Sequence, residues 1–206
     1  MLGYYNYTVI LTYFGMLVSF TGITFALGGD IHTALICLMI SGVCDMFDGR
    51  IASTRTRTVS EKQFGIQIDS LSDLICFGAL PAVIVFQTAS QSAAAFYIAG
   101  IYLLCALIRL AYFNVDEEER QSQTQEARTV YLGLPVTTAA LLIPAAYGVG
   151  RLLRWPMAMV GPAVLLLMGA AFLTPFRLKK PALPGKISML LLGAANLLML
   201  FAGADV

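Results

Sequence analysis

Four aspartates, Asp45, Asp48, Asp69 and Asp73, stand in the stretches DMFDGRIAS and FGIQIDSLSD, each beside a strongly apolar run. The first pair is three residues apart and the second four, so on a helix the members of each pair share a face. A carboxylate at the edge of hydrocarbon costs roughly 2.5 to 3.5 kcal/mol on insertion scales, and four clustered there need a compensating partner. A divalent cation is the simplest. Carboxylate oxygens suit Mg²⁺ or Mn²⁺, hard ions that share their coordination with substrate phosphates. The His and Cys ligands of a zinc site are missing from the neighbourhood, and the one histidine, His32, falls at the other end of its apolar segment.

Small residues flank the acids. Gly49, Ala52 and Gly65 would let a flat ligand or a second backbone come close. A turn at a helix end explains Gly49 alone equally well, but not the spacing of all three with the aspartates. Arg50, Arg55, Arg57 and Lys62 add positive charge on the same side, suited to phosphate oxygens and equally to setting topology. Metal, phosphate and hydrocarbon together point to phosphoryl or phosphatidyl transfer on a lipid. In such a reaction Asp73, deepest along its helix, is the natural general base for an attacking hydroxyl.

The elements that carry these residues are membrane helices. Of 206 residues 58% are hydrophobic and only 12% charged, and the mean hydropathy is +0.78, outside the range of soluble domains. A bilayer core takes about 20 apolar residues per helix, and seven segments qualify: 8–28, 32–48, 66–87, 92–113, 133–150, 156–175 and 187–203. The expected fold is an all-α integral membrane bundle of about seven transmembrane helices, within a range of six to eight, forming a single domain over 1–206. The first segment lacks a basic start and a small-residue cleavage site and reads as a retained helix. Pro144 makes the segment 133–150 the weakest span.

Basic residues orient the bundle. The links 49–65, 114–132 and 176–186 are rich in Arg and Lys, while the opposite links hold only Arg151 and Arg154. The positive-inside rule therefore puts the N-terminus and all four aspartates on the cytoplasmic side of the cell membrane, with the active site at the cytoplasmic ends of helices 2 and 3. The polar run Asp116 to Arg128 reads as a solvated loop, and PFRLKKPALPGK as a basic turn at headgroup level. Cys37, Cys44, Cys76 and Cys105 all sit in apolar segments without a CxxC pair and read as reduced packing thiols.

The pattern Asp45-x-x-Asp48-Gly49-x-x-Ala52, followed by Gly65-x-x-x-Asp69-x-x-x-Asp73, resembles the signature of the CDP-alcohol phosphatidyltransferase family. One position departs: where the family usually has Arg after the Ala, this chain has Ser53, leaving the phosphate contact to Arg55 or Arg57, with Arg55 the candidate. FGIQIDSLSDLICFGALPA, RLAYFNV and YLGLPVTTAA are most similar to the bacterial branch that makes phosphatidylserine. The resemblance implies that CDP-diacylglycerol and L-serine give phosphatidylserine and CMP. It further implies that Asp45, Asp48, Asp69 and Asp73 coordinate one or two Mg²⁺ or Mn²⁺ ions, with Asp73 also the catalytic base. Gly49, Ala52, Gly65, Arg55 and Thr12 would then bind the CDP moiety, Arg109 and Asn114 the serine. For Arg109 a structural ion pair with an aspartate is an equal alternative. A homodimer is expected from the family, with small-residue runs at Gly169 to Ala171 and Gly193 to Ala195 available for close helix contact. No nucleic-acid partner is expected.

Other readings compete. Within the family the acceptor could be glycerol phosphate or inositol phosphate, or the lipid archaeal. A phosphorylated acceptor would want basic residues beside the site, and the fourth and fifth helices offer Arg109 and little else. A prenyltransferase would not need the Gly and Ala positions. A cation transporter would carry midplane acids reachable from both faces, whereas these acids gather at one.

Overall fold

The computed structural model describes residues 3–123, 130–179 and 183–202. Its helices are α1 (Tyr7–Leu27), α2 (Ile31–Ala52), α3 (Val59–Asp73), α4 (Leu80–Thr88), α5 (Ala93–Gln123), α6 (Ala139–Leu152), α7 (Met157–Leu173) and α8 (Leu183–Ala202). A π-helical turn over Leu74–Ala79 joins α3 to α4 in one rod, Val59–Thr88, so the described residues form seven rods. Four of these are long and apolar enough to cross a membrane; Val136–Leu152, Met157–Leu173 and Ile187–Phe201 are shorter apolar helices.

Local chemistry starts each of the first three helices. Asn6 Oδ1 accepts the Thr8 N–H at 3.1 Å ahead of α1, and the Asp30 carboxylate accepts the Thr33 N–H at 3.0 Å ahead of α2. That bond holds Asp30 below the usual carboxylate range. A reciprocal capping box opens α3: the Glu61 N–H donates to Thr58 Oγ1 at 3.2 Å and the Thr58 N–H to Glu61 Oε2 at 2.8 Å.

Small residues let α1 and α2 pack as a tight antiparallel pair. A Cβ on Gly22 would come within 2.8 Å of Cys37 Cβ, and one on Gly15 within 3.2 Å of Cys44 Cβ. Between them Ser19 donates to Ser41 Oγ at 2.8 Å. Without a hydrophobic drive between helices in lipid, close packing and such buried hydrogen bonds hold the pair. Gly42 serves the same purpose against α6, where its Cβ would meet Ala140 Cβ at 2.5 Å. Of the small-residue runs available for close helix contact, Gly169 is used within the chain, against Cys105; Ala194 and Ala195 are exposed.

Two helices outrun their apolar segments. α3 begins at Val59, ahead of the expected 66, and α5 continues to Gln123, past the expected 113. Residues Asp116–Gln123, expected as loop, are therefore helix; hydropathy marks what lies in hydrocarbon, and a run such as EEERQ prolongs a helix into water without any apolar signal. The rest of that polar run, 124–129, lies outside the described residues.

The bundle also has a small sheet that periodicity does not announce. β1 (Val130–Leu132) pairs antiparallel with β2 (Arg177–Lys179), Tyr131 opposite Leu178. Gly133 follows at φ +71°, its N–H donating to Phe176 O at 2.7 Å. A side chain there would meet Phe172 O at 2.9 Å, which only glycine avoids.

Candidate active site

α2 and α3 bring three of the acids together. Asp45 and Asp48 lie in the last turns of α2, Asp69 on α3, and one carboxylate oxygen from each lies within 4.8 Å of the others. α1 laces the two helices: Thr12 Oγ1 donates to Asp48 Oδ2 at 3.0 Å, while Ser72 Oγ donates to Thr12 O at 3.3 Å. Thr12 thus fixes the orientation of the Asp48 carboxylate. Asp73 follows Asp69 by one turn at the end of α3, next to the π turn and outside the group of three. An all-oxygen set of three convergent carboxylates fits a hard divalent cation and gives the repulsion between them a compensating charge.

Beside the cluster opens a cavity of about 660 Å³. Asp48 and Asp69 form its acidic wall, and Thr12, Gly49, Ala52 and Gly65 also line it. The two glycines differ. A Cβ on Gly49 would have no atom within 4 Å, whereas one on Gly65 would lie 3.1 Å from the Arg57 guanidinium. Gly65 therefore makes room for Arg57, while Gly49 borders open space in the cavity.

Arg57, not Arg55, lines the cavity. Arg55 instead reaches Glu61 at 3.5 Å, part of a set of contacts that ties the α2–α3 loop to the start of α1. In the same set Asn6 Nδ2 donates to Glu61 Oε1 at 3.4 Å, and Tyr7 Oη lies 3.0 Å from Thr54 Oγ1.

Arg109 and Asn114 do not line the cavity. Arg109 is buried in α5, its guanidinium carbon 5.6 Å from the centre of the Phe113 ring. Asn114 joins α5 to α3, accepting from Ser70 Oγ at 2.5 Å and donating to Gln67 Oε1 at 3.3 Å. Gln67 in turn donates to Glu118 Oε1 at 3.3 Å.

This ladder steers the hydrophilic end of α5 over the site, so that Glu118 and Arg120 line the cavity together with Lys62. Arg120 is also paired with Glu117 at 2.5 Å. The cavity is thus more basic than the apolar helices alone suggest. None of these positions stands out in a hydropathy reading. The signals present were the T-x-x-E capping box, which extends α3 back to Lys62, and the Glu117/Arg120 spacing of three, which suits a helix.

A family model described as CDP-alcohol phosphatidyltransferase matches residues 5–174. A CDP-diacylglycerol–serine O-phosphatidyltransferase of Saccharomyces cerevisiae is 37% identical over 116 residues, 55% of this chain and 41% of that protein. An archaetidylserine synthase of Methanothermobacter thermautotrophicus is 29% identical over 150 residues, covering 72% of this chain and 60% of the relative. A CDP-diacylglycerol–serine O-phosphatidyltransferase of Mycobacterium leprae is 29% identical over 136 residues, 65% of this chain and 43% of its own length. These matches span between 41% and 60% of the relatives they cover.

Proposed function

The chain belongs to the CDP-alcohol phosphatidyltransferase family, and from that premise we propose that it transfers the phosphatidyl group of CDP-diacylglycerol to the hydroxyl of L-serine. The products are phosphatidylserine and CMP. The observation that carries this reading is the convergence of Asp45, Asp48 and Asp69, two of which, Asp48 and Asp69, line a large cavity. Those three would hold one or two divalent ions, Mg²⁺ or Mn²⁺, which neutralise a diphosphate and polarise its phosphorus when bound.

The remaining roles follow from the chain's own groups. Arg57 and Lys62 face the cavity and suit phosphate oxygens. Thr12 keeps Asp48 oriented. Asp73 accepts the proton of the serine hydroxyl as the new oxygen–phosphorus bond forms and the bond from phosphorus to CMP breaks. Glu118 and Arg120 present both signs of charge to the cavity, which suits a zwitterionic acceptor. Serine also figures in the names of all three relatives above.

Gly49→Ala separates binding from folding. The added methyl meets no protein atom, and alanine is favoured over glycine within a helix by about 1 kcal/mol, so the unfolding temperature should hold or rise. The methyl enters the cavity, and crowding of this kind typically costs about 1 to 3 kcal/mol. A rise of about tenfold in KM for CDP-diacylglycerol is expected, at about 1.4 kcal/mol per tenfold; an unchanged KM would remove Gly49 from the nucleotide site.

The reading is tested by CMP release from CDP-diacylglycerol in detergent, with and without L-serine, and with Mn²⁺ or Mg²⁺ present or chelated. Release that needs both serine and metal is expected. Release with glycerol phosphate or inositol phosphate in place of serine would overturn the acceptor. With no alcohol supporting release, the transferase reading would fail, and cation uptake into vesicles becomes the measurement. A second lipid has a specific observation in its favour: the archaetidylserine synthase match covers 72% of the chain. CDP-archaeol run beside CDP-diacylglycerol decides between the two donors by their kcat/KM.

A further inference from the structure

The rod Val59–Thr88 carries its acids on one half and its packing on the other. In the α4 half Leu80, Ile84 and Val85 are buried. Leu80 lies against α1, 3.1 Å from where a Gly22 Cβ would be, and Val85 fills the space that Gly161 leaves on α7. This half cannot turn about its axis without vacating those contacts. The direction in which Asp69 and Asp73 point is therefore set between the halves. There the helix takes its π turn, with the Leu80 N–H bonded to Ile75 O, five residues back. One residue added to a helix rotates one side against the other by about 100°. A regular helix with the same packing half would swing both carboxylates away from α2 by that angle.

The sequence accounts for the turn. Pro81 has no N–H, so Phe77 O lacks the donor that an α-helix would supply four residues on, and the proline ring crowds that carbonyl. In hydrocarbon no water can serve such a group, and a neighbouring helix has to. Tyr102 of α5 does so: its Oη donates to Phe77 O at 2.6 Å. Its ring is 1% exposed and rests against Phe172, with centroids 5.5 Å apart.

We propose that Tyr102 is a positioning residue for the cation site: by binding the Phe77 carbonyl it holds the π turn, and the turn sets the angle at which Asp69 meets Asp45 and Asp48. The inference rests on the aspartates being a cation site, and its test is chosen to tell the two apart. Mn²⁺ is titrated into the purified full chain in detergent, without substrate, and the rise in unfolding temperature gives a midpoint. Tyr102→Phe keeps the ring and loses the hydroxyl, and its midpoint is expected about tenfold above wild type, the effect of losing a group that orients a metal ligand. Pro81→Ala, which favours regular helix and so relaxes the turn, should raise the midpoint as well. Phe172→Leu loosens the same packing but leaves the hydrogen bond, so it should lower the unfolding temperature with the midpoint unchanged. A wild-type midpoint in Tyr102→Phe overturns the proposal, as does an equal rise in Phe172→Leu. Should Tyr102→Phe not fold, a wild-type midpoint in Pro81→Ala overturns it. Wild-type protein that Mn²⁺ does not stabilise refutes the cation-site reading itself.

Discussion

Asp69→Asn is expected to abolish stabilisation by Mn²⁺ and to lower CMP release by about a thousandfold or more. Asp69 is the only member of the close carboxylate group contributed by α3, the other two coming from α2. Its loss leaves two acids on one helix, which cannot enclose a cation from both sides. A bound ion contributes several kcal/mol of charge stabilisation in such reactions, and at about 1.36 kcal/mol per tenfold the expected loss follows. The stability of the metal-free protein should move the other way. With no cation, three carboxylates within 4.8 Å repel one another, and asparagine relieves that repulsion at nearly constant volume. The variant should thus unfold in chelator at or above the wild-type temperature. Unfolding curves with and without Mn²⁺ measure both effects; a variant still stabilised by the ion would remove Asp69 from its ligands.

How much of this was legible in the sequence depends on the kind of interaction. The acid pairs were, because a spacing of three or four is a property of one helix, and so was the bundle, because an apolar run of about 20 residues has few other uses. What hydropathy could not give was the polar extension of helices. Val59 to Gln63 and Asp116 to Gln123 are helical, yet they read as links because neither holds a sustained apolar run. The extension of α5 decides the character of the cavity, since it supplies Glu118 and Arg120.

Contacts between helices were less legible still. Nothing local to Arg55 or Arg57 says which one turns inward; the choice depends on Glu61 holding the first and on Gly65 leaving space for the second. Asn114 reads as a free polar group near a substrate, but its partners Ser70 and Gln67 lie 44 and 47 residues away in the chain. Proline is a helix breaker by type, yet the consequence of Pro81 depends on Tyr102 standing opposite the Phe77 carbonyl, which contacts across helices decide.

Asp73→Asn is expected to lower CMP release by about 10² to 10⁴-fold, the usual worth of a general base, while Mn²⁺ still stabilises the protein with a midpoint close to wild type. The contrast with Asp69 rests on position. Asp73 stands one turn beyond Asp69 and outside the group whose oxygens lie within 4.8 Å of one another, so a cation held by that group keeps its ligands when Asp73 is neutralised. Asparagine preserves the size and the hydrogen-bonding reach of the side chain but has no site that takes up the hydroxyl proton. Substrate binding should not depend on the charge of Asp73, so KM values should change little and the loss should appear in kcat. Loss of Mn²⁺ stabilisation, as expected for Asp69→Asn, would make Asp73 a ligand, and the base would then have to be sought among the acids that line the cavity, of which Glu118 is the one not engaged in the carboxylate group.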